Sequence, residues 1–175
     1  MINIRHGLFE TNSSSTHAIC IAKKNNNLVI PQSLDFILND FGWDERFYYD
    51  VEDKASYFYT ALYNSYDEDI KKNFESIKNH IYEVLGKAGC ECWFDKARPS
   101  EWGKWMESGY IDHQNEIDPL IHKLIKNDKM LFRFLFSPDS FVVTGNDNSY
   151  WFDDWEENFD GSEAAGKVDV FYKGN

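Results

Sequence analysis

Residues 67–85 read DEDIKKNFESIKNHIYEVL. Apolar side chains recur in this stretch at spacings of three or four residues, which is the period of one face of an α-helix. Gly86 follows directly and predicts the end of the helix. The stretch therefore predicts a long amphipathic helix that packs on a hydrophobic core. Its apolar stripe consists of Ile70, Phe74, Ile77, Ile81 and Leu85.

Helical patterns also occur at residues 50–63 and 117–125, and Ser33 predicts the start of a short helix over 34–39. Residues 130–136 are apolar throughout, and their pattern assigns them to neither a helix nor a strand. Alternation and short apolar runs between turn residues predict the strands. These lie at residues 2–5, 17–23, 28–30, 90–94, 140–144 and 168–172. We predict one α+β domain over residues 1–175, with several short antiparallel strands and three or four helices.

The chain has 175 residues, 42% of them hydrophobic, which is enough for a substantial core. It shows no signal peptide and no long apolar run, so we expect a cytoplasmic protein with no membrane segment. The three cysteines are an odd number and lack zinc-site spacing, which predicts reduced thiols and no bound metal or other cofactor. Cys20 lies in a buried-strand pattern, and Cys90 and Cys92 alternate on one face of a strand.

The net charge of −12 is unevenly distributed along the chain. Residues 1–34 carry a net charge of +2, residues 35–70 one of −8, and residues 144–175 one of −6. Backbone binding to nucleic acid needs clustered Lys and Arg, so a broad nucleic-acid-coating surface is excluded. The acidic regions fit either a basic groove of a partner protein or a purely solubilising surface.

The densest group of polar side chains lies at residues 5–17, RHGLFETNSSSTH. Small polar residues in such a run predict a tight turn whose hydroxyls and backbone N–H groups suit a phosphate. We interpret the group as a phosphodiester site in which His17 and Glu10 are catalytic, although a turn that only satisfies its own backbone remains open. The predicted ligand-binding residues are Arg5, Asn12, Ser13, Ser14 and Ser15.

A second polar group, YIDHQN, occupies residues 110–115. His113 is a candidate proton donor or acceptor, and Gln114 could orient a ligand. Paired with His17, His113 would supply a general acid and a general base without a metal. Asp112 could instead simply cap the following helix.

The pattern RxGxFETNSSSTH at residues 5–17 resembles the N-terminal signature of small proteins encoded by phages and plasmids of low-GC Gram-positive bacteria. Residues 110–114 and 141–148 resemble recurring segments of the same group, so the resemblance covers about 26 of the 175 residues. The group is similar in size and origin to anti-CRISPR inhibitors of type II-A systems, some of which act through the effector's guide RNA. The resemblance implies an RNA-guided effector nuclease or its guide RNA as partner, in the cytoplasm of a bacterial host. Whether the protein forms a homodimer remains open.

Three functions are consistent with these patterns. The first is an anti-defence protein with an N-terminal phosphodiester site that promotes guide-RNA cleavage as a metal-independent ribonuclease. The second is a non-catalytic acidic mimic of DNA that blocks a nucleic-acid-binding effector. The third is a sponge or enzyme for a nucleotide signal, with aromatic side chains stacked on the base. The sequence leaves open whether any chemistry occurs.

Overall fold

The computed structural model describes residues 15–24, 27–42, 44–95, 109–111, 117–146 and 167–173. Within these ranges, four helices and eight short strands form an α+β fold, as predicted. The helices are α1 (Val51–Tyr63), α2 (Glu68–Lys87), α3 (Asp118–Ile125) and α4 (Asp128–Phe136). The strands are β1 (Ser15–Ala22), β2 (Ser33–Phe36), β3 (Asp40–Phe41), β4 (Arg46–Tyr48), β5 (Glu91–Phe94), β6 (Tyr110–Ile111), β7 (Phe141–Asn146) and β8 (Val168–Lys173).

A four-stranded antiparallel sheet with the order β4–β7–β1–β8 organises the fold. Its central strand β1 alternates side chains between two faces, as a strand must. Ile19 and Ile21 belong to the main core, which includes buried residues of all four helices. Ala18 and Cys20 point the other way into a second, smaller apolar cluster. Two parallel two-stranded ribbons, β2–β5 and β3–β6, complete the described strands.

The three helices read from apolar periodicity are confirmed within a few residues. Asp67 caps α2, as its side chain accepts hydrogen bonds from the backbone N–H groups of Asp69 and Ile70. The predicted end at Gly86 is wrong, because α2 continues through Gly86 to Lys87. The chain then turns at Gly89, which has a φ of +84°.

Two local predictions need correction, and the predicted strand at residues 2–5 lies outside the described residues. Residues 34–39 do not form a helix, because Leu34 and Phe36 alternate into the core from the parallel strand β2. Residues 28–30 form no strand, although the Val29 N–H donates to the carbonyl of Phe136. The unassigned apolar run lies in α4, whose N-cap is the side chain of Asn127.

The three thiols lie where alternation predicts. Cys20 and Cys90 are fully buried, Cys92 is nearly so, and Glu91 between the last two is exposed. Burial raises the pKa of Cys20 to about 12, which keeps this thiol protonated and unreactive. No helix among the described residues has the length and apolar character needed to cross a membrane.

Candidate functional site

Most of the predicted site residues lie outside the described residues. These are Arg5, Glu10, Asn12, Ser13, Ser14, His113 and Gln114, together with the capping alternative at Asp112. Ser15 begins β1 and is in register with Asn146 of β7. The polar N-terminal stretch therefore joins the central sheet at the end where β7 finishes. The proposed roles of these residues remain predictions.

His17 is the predicted catalytic residue that the structure describes in full. It lies in β1, and its side chain is 0% exposed. Its Nδ1 atom is 2.9 Å from the hydroxyl oxygen of Tyr57 on α1, and the two rings are tilted with centroids 5.8 Å apart. Burial raises the pKa of Tyr57 well above its ordinary value, so the phenol stays neutral at physiological pH.

This contact makes His17 a structural link between the central sheet and α1. A buried imidazole in such a contact fixes the position of its strand. Proton exchange between His17 and a substrate would require this part of the core to open. The structure thus gives His17 a packing role that the sequence alone did not indicate.

A groove of about 440 Å³ between α2 and α3 contains two other histidines, which the sequence analysis left without a role. We call it the two-histidine groove. Its apolar wall consists of Ile70, Ile77 and Ile125. Its polar lining consists of Asp69, Asn73, Ser76, His80, His122 and Lys126.

His80 lies on α2 and contacts the first turn of α4. Its Nε2 atom is 2.9 Å from a carboxylate oxygen of Asp128, and 47% of its side chain is exposed. A carboxylate on one ring nitrogen fixes the ring's orientation and leaves Nδ1 to exchange a proton with a ligand. His80 therefore has both the support and the access that a general base requires.

His122 on α3 makes the corresponding contact with the cap of α2. Its Nε2 atom is 2.8 Å from a carboxylate oxygen of Asp67. The hydrogen bond from His122, together with those from the N–H groups of Ile70 and Asp69, lowers the pKa of Asp67. Nδ1 of His122 is buried and has no hydrogen-bond partner among the described residues. The His122 side chain is therefore fixed by Asp67 in the groove wall and partly buried, so it is less accessible to a ligand than that of His80.

The segment that contains α3 and α4 is basic in sequence, although the chain as a whole is acidic. Residues 117–137 carry four basic residues and two acidic ones, a net charge of +2. Lys126 lines the groove itself, and Lys129 lies in the first turn of α4. Asp69 also lines the groove, and Asp128 and Asp67 contact its two histidines. Among the lining residues, Lys126 is therefore the group at which an anionic ligand could bind.

A signal for this groove exists in the sequence. The polar residues Asp69, Asn73, Ser76 and His80 follow one another at spacings of four, three and four. They form a polar stripe with the same period as the apolar stripe of α2. The carboxylates that orient the histidines carry no such signal, because they lie 48 residues from His80 and 55 residues from His122.

Among the described residues, no group of three or more His, Cys, Asp or Glu side chains could hold a metal ion. The chemistry available to the groove is that of imidazole, carboxylate, amide, hydroxyl and ammonium groups. Comparisons of the chain with protein-family models, with curated proteins and with solved structures gave no match.

Proposed function

We propose that this protein is an anti-defence protein that binds RNA phosphodiesters in the two-histidine groove and promotes their cleavage without a metal. The observation that carries the proposal is that two histidines on neighbouring helices, each hydrogen-bonded to an aspartate, line one groove beside a lysine. Imidazoles supported in this way are the usual proton-transfer groups of metal-independent catalysis. The sequence patterns also predict a histidine pair, but at His17 and His113.

We assign the role of general base to His80, because its ring is more exposed than that of His122. His80, held by Asp128, takes the proton of a ribose 2′-hydroxyl through Nδ1. The 2′ oxygen then forms a bond to the adjacent phosphorus, the bond from phosphorus to the 5′ oxygen breaks, and the departing oxygen takes a proton from water. The products are a 2′,3′-cyclic phosphate and a 5′-hydroxyl. Lys126 would stabilise the charge that develops on the phosphate.

The resemblance of residues 5–17 supports the choice of RNA and of an RNA-guided effector as partner. If His17 anchors that segment to the sheet, residues 5–16 could bind RNA while the groove supplies proton transfer. Both sites would then contact one substrate, the guide RNA in or released from its effector.

The test is cleavage of guide RNA, free and bound to a purified type II-A effector, in buffer containing EDTA. We expect the wild-type protein to shorten the RNA and His80→Ala to slow the reaction by about 100-fold, as expected for the loss of a general base. Asn79→Ala is the matched control, because Asn79 is the exposed neighbour of His80 on α2 and does not line the groove. Equal melting temperatures would show that the variants are folded.

Three results would count against the proposal. They are the absence of cleavage of either RNA, cleavage that stops in EDTA, and equal rates for His80→Ala and wild type. End-group analysis adds a further check, because a product with a 3′-hydroxyl is incompatible with attack by the 2′ oxygen.

A second candidate, the acidic mimic, is favoured by the solvent face of the β2–β5 ribbon. Asp35 is in register with Trp93, and Glu91 and Asp95 lie at alternate positions beside it. The three carboxylates are exposed and the Trp93 side chain is 53% exposed. Carboxylates around an open indole fit the arginine-rich surface of a nucleic-acid-binding protein, since guanidinium groups bind both.

A further inference from the structure

We infer that a second cavity, between the α1–α2 loop and β6, is a stacking site for a nucleobase carrying a phosphate. It has a volume of about 310 Å³ and includes two exposed tyrosines and a lysine. We call it the tyrosine pocket. Its principal residues are Tyr63, Asn64, Tyr66, Lys71, Tyr110 and Ile111. The inference does not depend on the two-histidine groove, which lies on another side of α2.

The two tyrosines present aromatic surface to solvent. The side chain of Tyr66 is 65% exposed and that of Tyr110 is 51% exposed, although both lie in or beside packed elements. Large apolar rings exposed together in a concave site are typical of ligand contact rather than of core packing. Ile111, which is almost fully buried, and the half-buried Tyr63 form an apolar base for the cavity.

The backbone that carries each ring is held in place. The N–H of Tyr66 donates to a carboxylate oxygen of Asp118 at 3.0 Å. The side-chain amide of Asn64 donates to the carbonyl of Gly109 at 3.0 Å, which ties the α1–α2 loop to the start of β6. A site built on fixed backbone loses less entropy when a ligand binds.

Gly109 allows β6 to approach this closely. Its φ is +102°, and a Cβ placed there would lie 2.7 Å from the Cβ of Leu38. The Tyr110 N–H then donates to the carbonyl of Asn39, and Tyr110 pairs with Asp40 of β3. The position of the Tyr110 backbone is therefore set by the close packing of β6 on the chain before β3.

Lys71 supplies the positive charge of the pocket. Its Nζ atom lies 5.9 Å from the centre of the Tyr66 ring and 3.1 Å from a carboxylate oxygen of Glu68. The cation is thus next to the proposed stacking surface, where a phosphate attached to the stacked nucleoside could replace the exposed Glu68 carboxylate. Flat rings, an adjacent cation and a cavity near the lower limit for small ligands fit a nucleotide.

The ligand could be a free nucleotide or one base of single-stranded RNA, and two probes distinguish them. AMP is titrated by calorimetry, and fluorescein-labelled hexa-adenylate is titrated by anisotropy. Tyr66→Ala and Tyr110→Ala should each weaken binding about tenfold, because each removes a stacking ring. Tyr66→Phe should retain affinity, since stacking needs the ring and not the hydroxyl.

Tyr82→Ala is the matched control, because Tyr82 is a tyrosine of α2 with 59% exposure that lies outside the pocket. Loss of AMP binding in the pocket variants identifies a free nucleotide as ligand, and loss of hexa-adenylate binding alone identifies RNA. The inference fails if neither probe binds at millimolar concentration, if the pocket variants bind as wild type does, or if ribose 5-phosphate competes as well as AMP. AMP contains no phosphodiester, so its binding does not test the groove proposal, and failure of that proposal leaves the AMP result unaffected.

Discussion

Lys54 is a buried cation that connects α1 to the turn between α4 and β7. Its side chain is 1% exposed, and Nζ donates to the carbonyl oxygens of Ser137 at 2.9 Å and Ser140 at 3.0 Å. Burial lowers the pKa of Lys54 from 10.5 to about 8, against the opposing effect of the Asp50 and Glu52 carboxylates. Two carbonyl acceptors can bind the neutral amine as well as the ammonium.

This pKa predicts a pH-dependent stability. Between pH 8 and pH 10.5 the unfolded chain keeps the Lys54 proton while the folded chain has lost it, so the unfolded state binds more protons and stability rises with pH. Relative to Lys54→Met, the free energy of unfolding of the wild type should increase over this window, on the order of 3 kcal/mol. Urea denaturation at pH 7, 8.5 and 10 measures it. A constant difference between the two proteins would contradict the prediction.

His17 shows what residue patterns do and do not establish. The alternation around Ile19 and Ile21 correctly places it in a strand, and the hydroxyl-rich run before it marks an unusual segment. The same alternation places His17 on the face of Ile19 and Ile21, which packs on the main core. The contact with Tyr57 could not be predicted from this pattern, because Tyr57 lies on a helix 40 residues away.

Among the elements, α2 offers a direct test of the contact between helices. Asp67 caps α2 and also accepts a hydrogen bond from His122 of α3. Asp67→Ala should lower the melting temperature by about 2–4 °C through loss of the cap. Asp67→Asn keeps a capping side chain but removes the charge, so it should recover most of the loss.

The pH dependence separates the two contributions of Asp67. Its pKa in the folded protein lies below the ordinary 3.8, so its charge stabilises the fold above pH 3.8, and this stability is lost as the pH falls through the folded value. The difference between wild type and Asp67→Asn should therefore shrink below pH 3.8. Thermal unfolding at pH 7, 4 and 3 measures it, and a difference that widened in acid would show that the carboxylate plays no such role.

The helices were predictable because their signals are local. Apolar spacing and capping residues lie within each helix, which is why α1, α2 and α3 were identified within a few residues. The strand β2 was missed because a helix N-cap signal at Ser33 competed with a short alternation of Leu34 and Phe36. Pairing with β5, about 58 residues later, decides between a helix and a strand here. Such long-range pairing cannot be predicted from the local sequence.

For the molecule as a whole, the helical and strand patterns predict an α+β fold and the composition predicts a substantial core, and the structure confirms the fold class. The candidate site was harder to predict, because a groove is a property of several elements together. The two-histidine groove needs residues from α2, α3 and the start of α4, and the acidic face needs β2 beside β5. The uneven charge was visible in the sequence, but the sequence did not show which carboxylates share a surface.

The two candidate functions make opposite predictions for the whole molecule. A mimic acts stoichiometrically through charge, so its inhibition weakens steeply with salt, whereas a catalyst acts below one equivalent. We expect the wild-type protein to inactivate more than one equivalent of guide-loaded effector. The triple variant Asp35→Asn, Glu91→Gln and Asp95→Asn should retain this activity, and His80→Ala should lose it. The measurement is residual DNA cleavage by the effector, at low and at high salt, after incubation with the protein. The molar ratio of protein to effector is varied from roughly 0.1 to 2, because turnover and stoichiometric binding differ over this range. If the triple variant loses inhibition while His80→Ala keeps it, the acidic face carries the function and the groove does not.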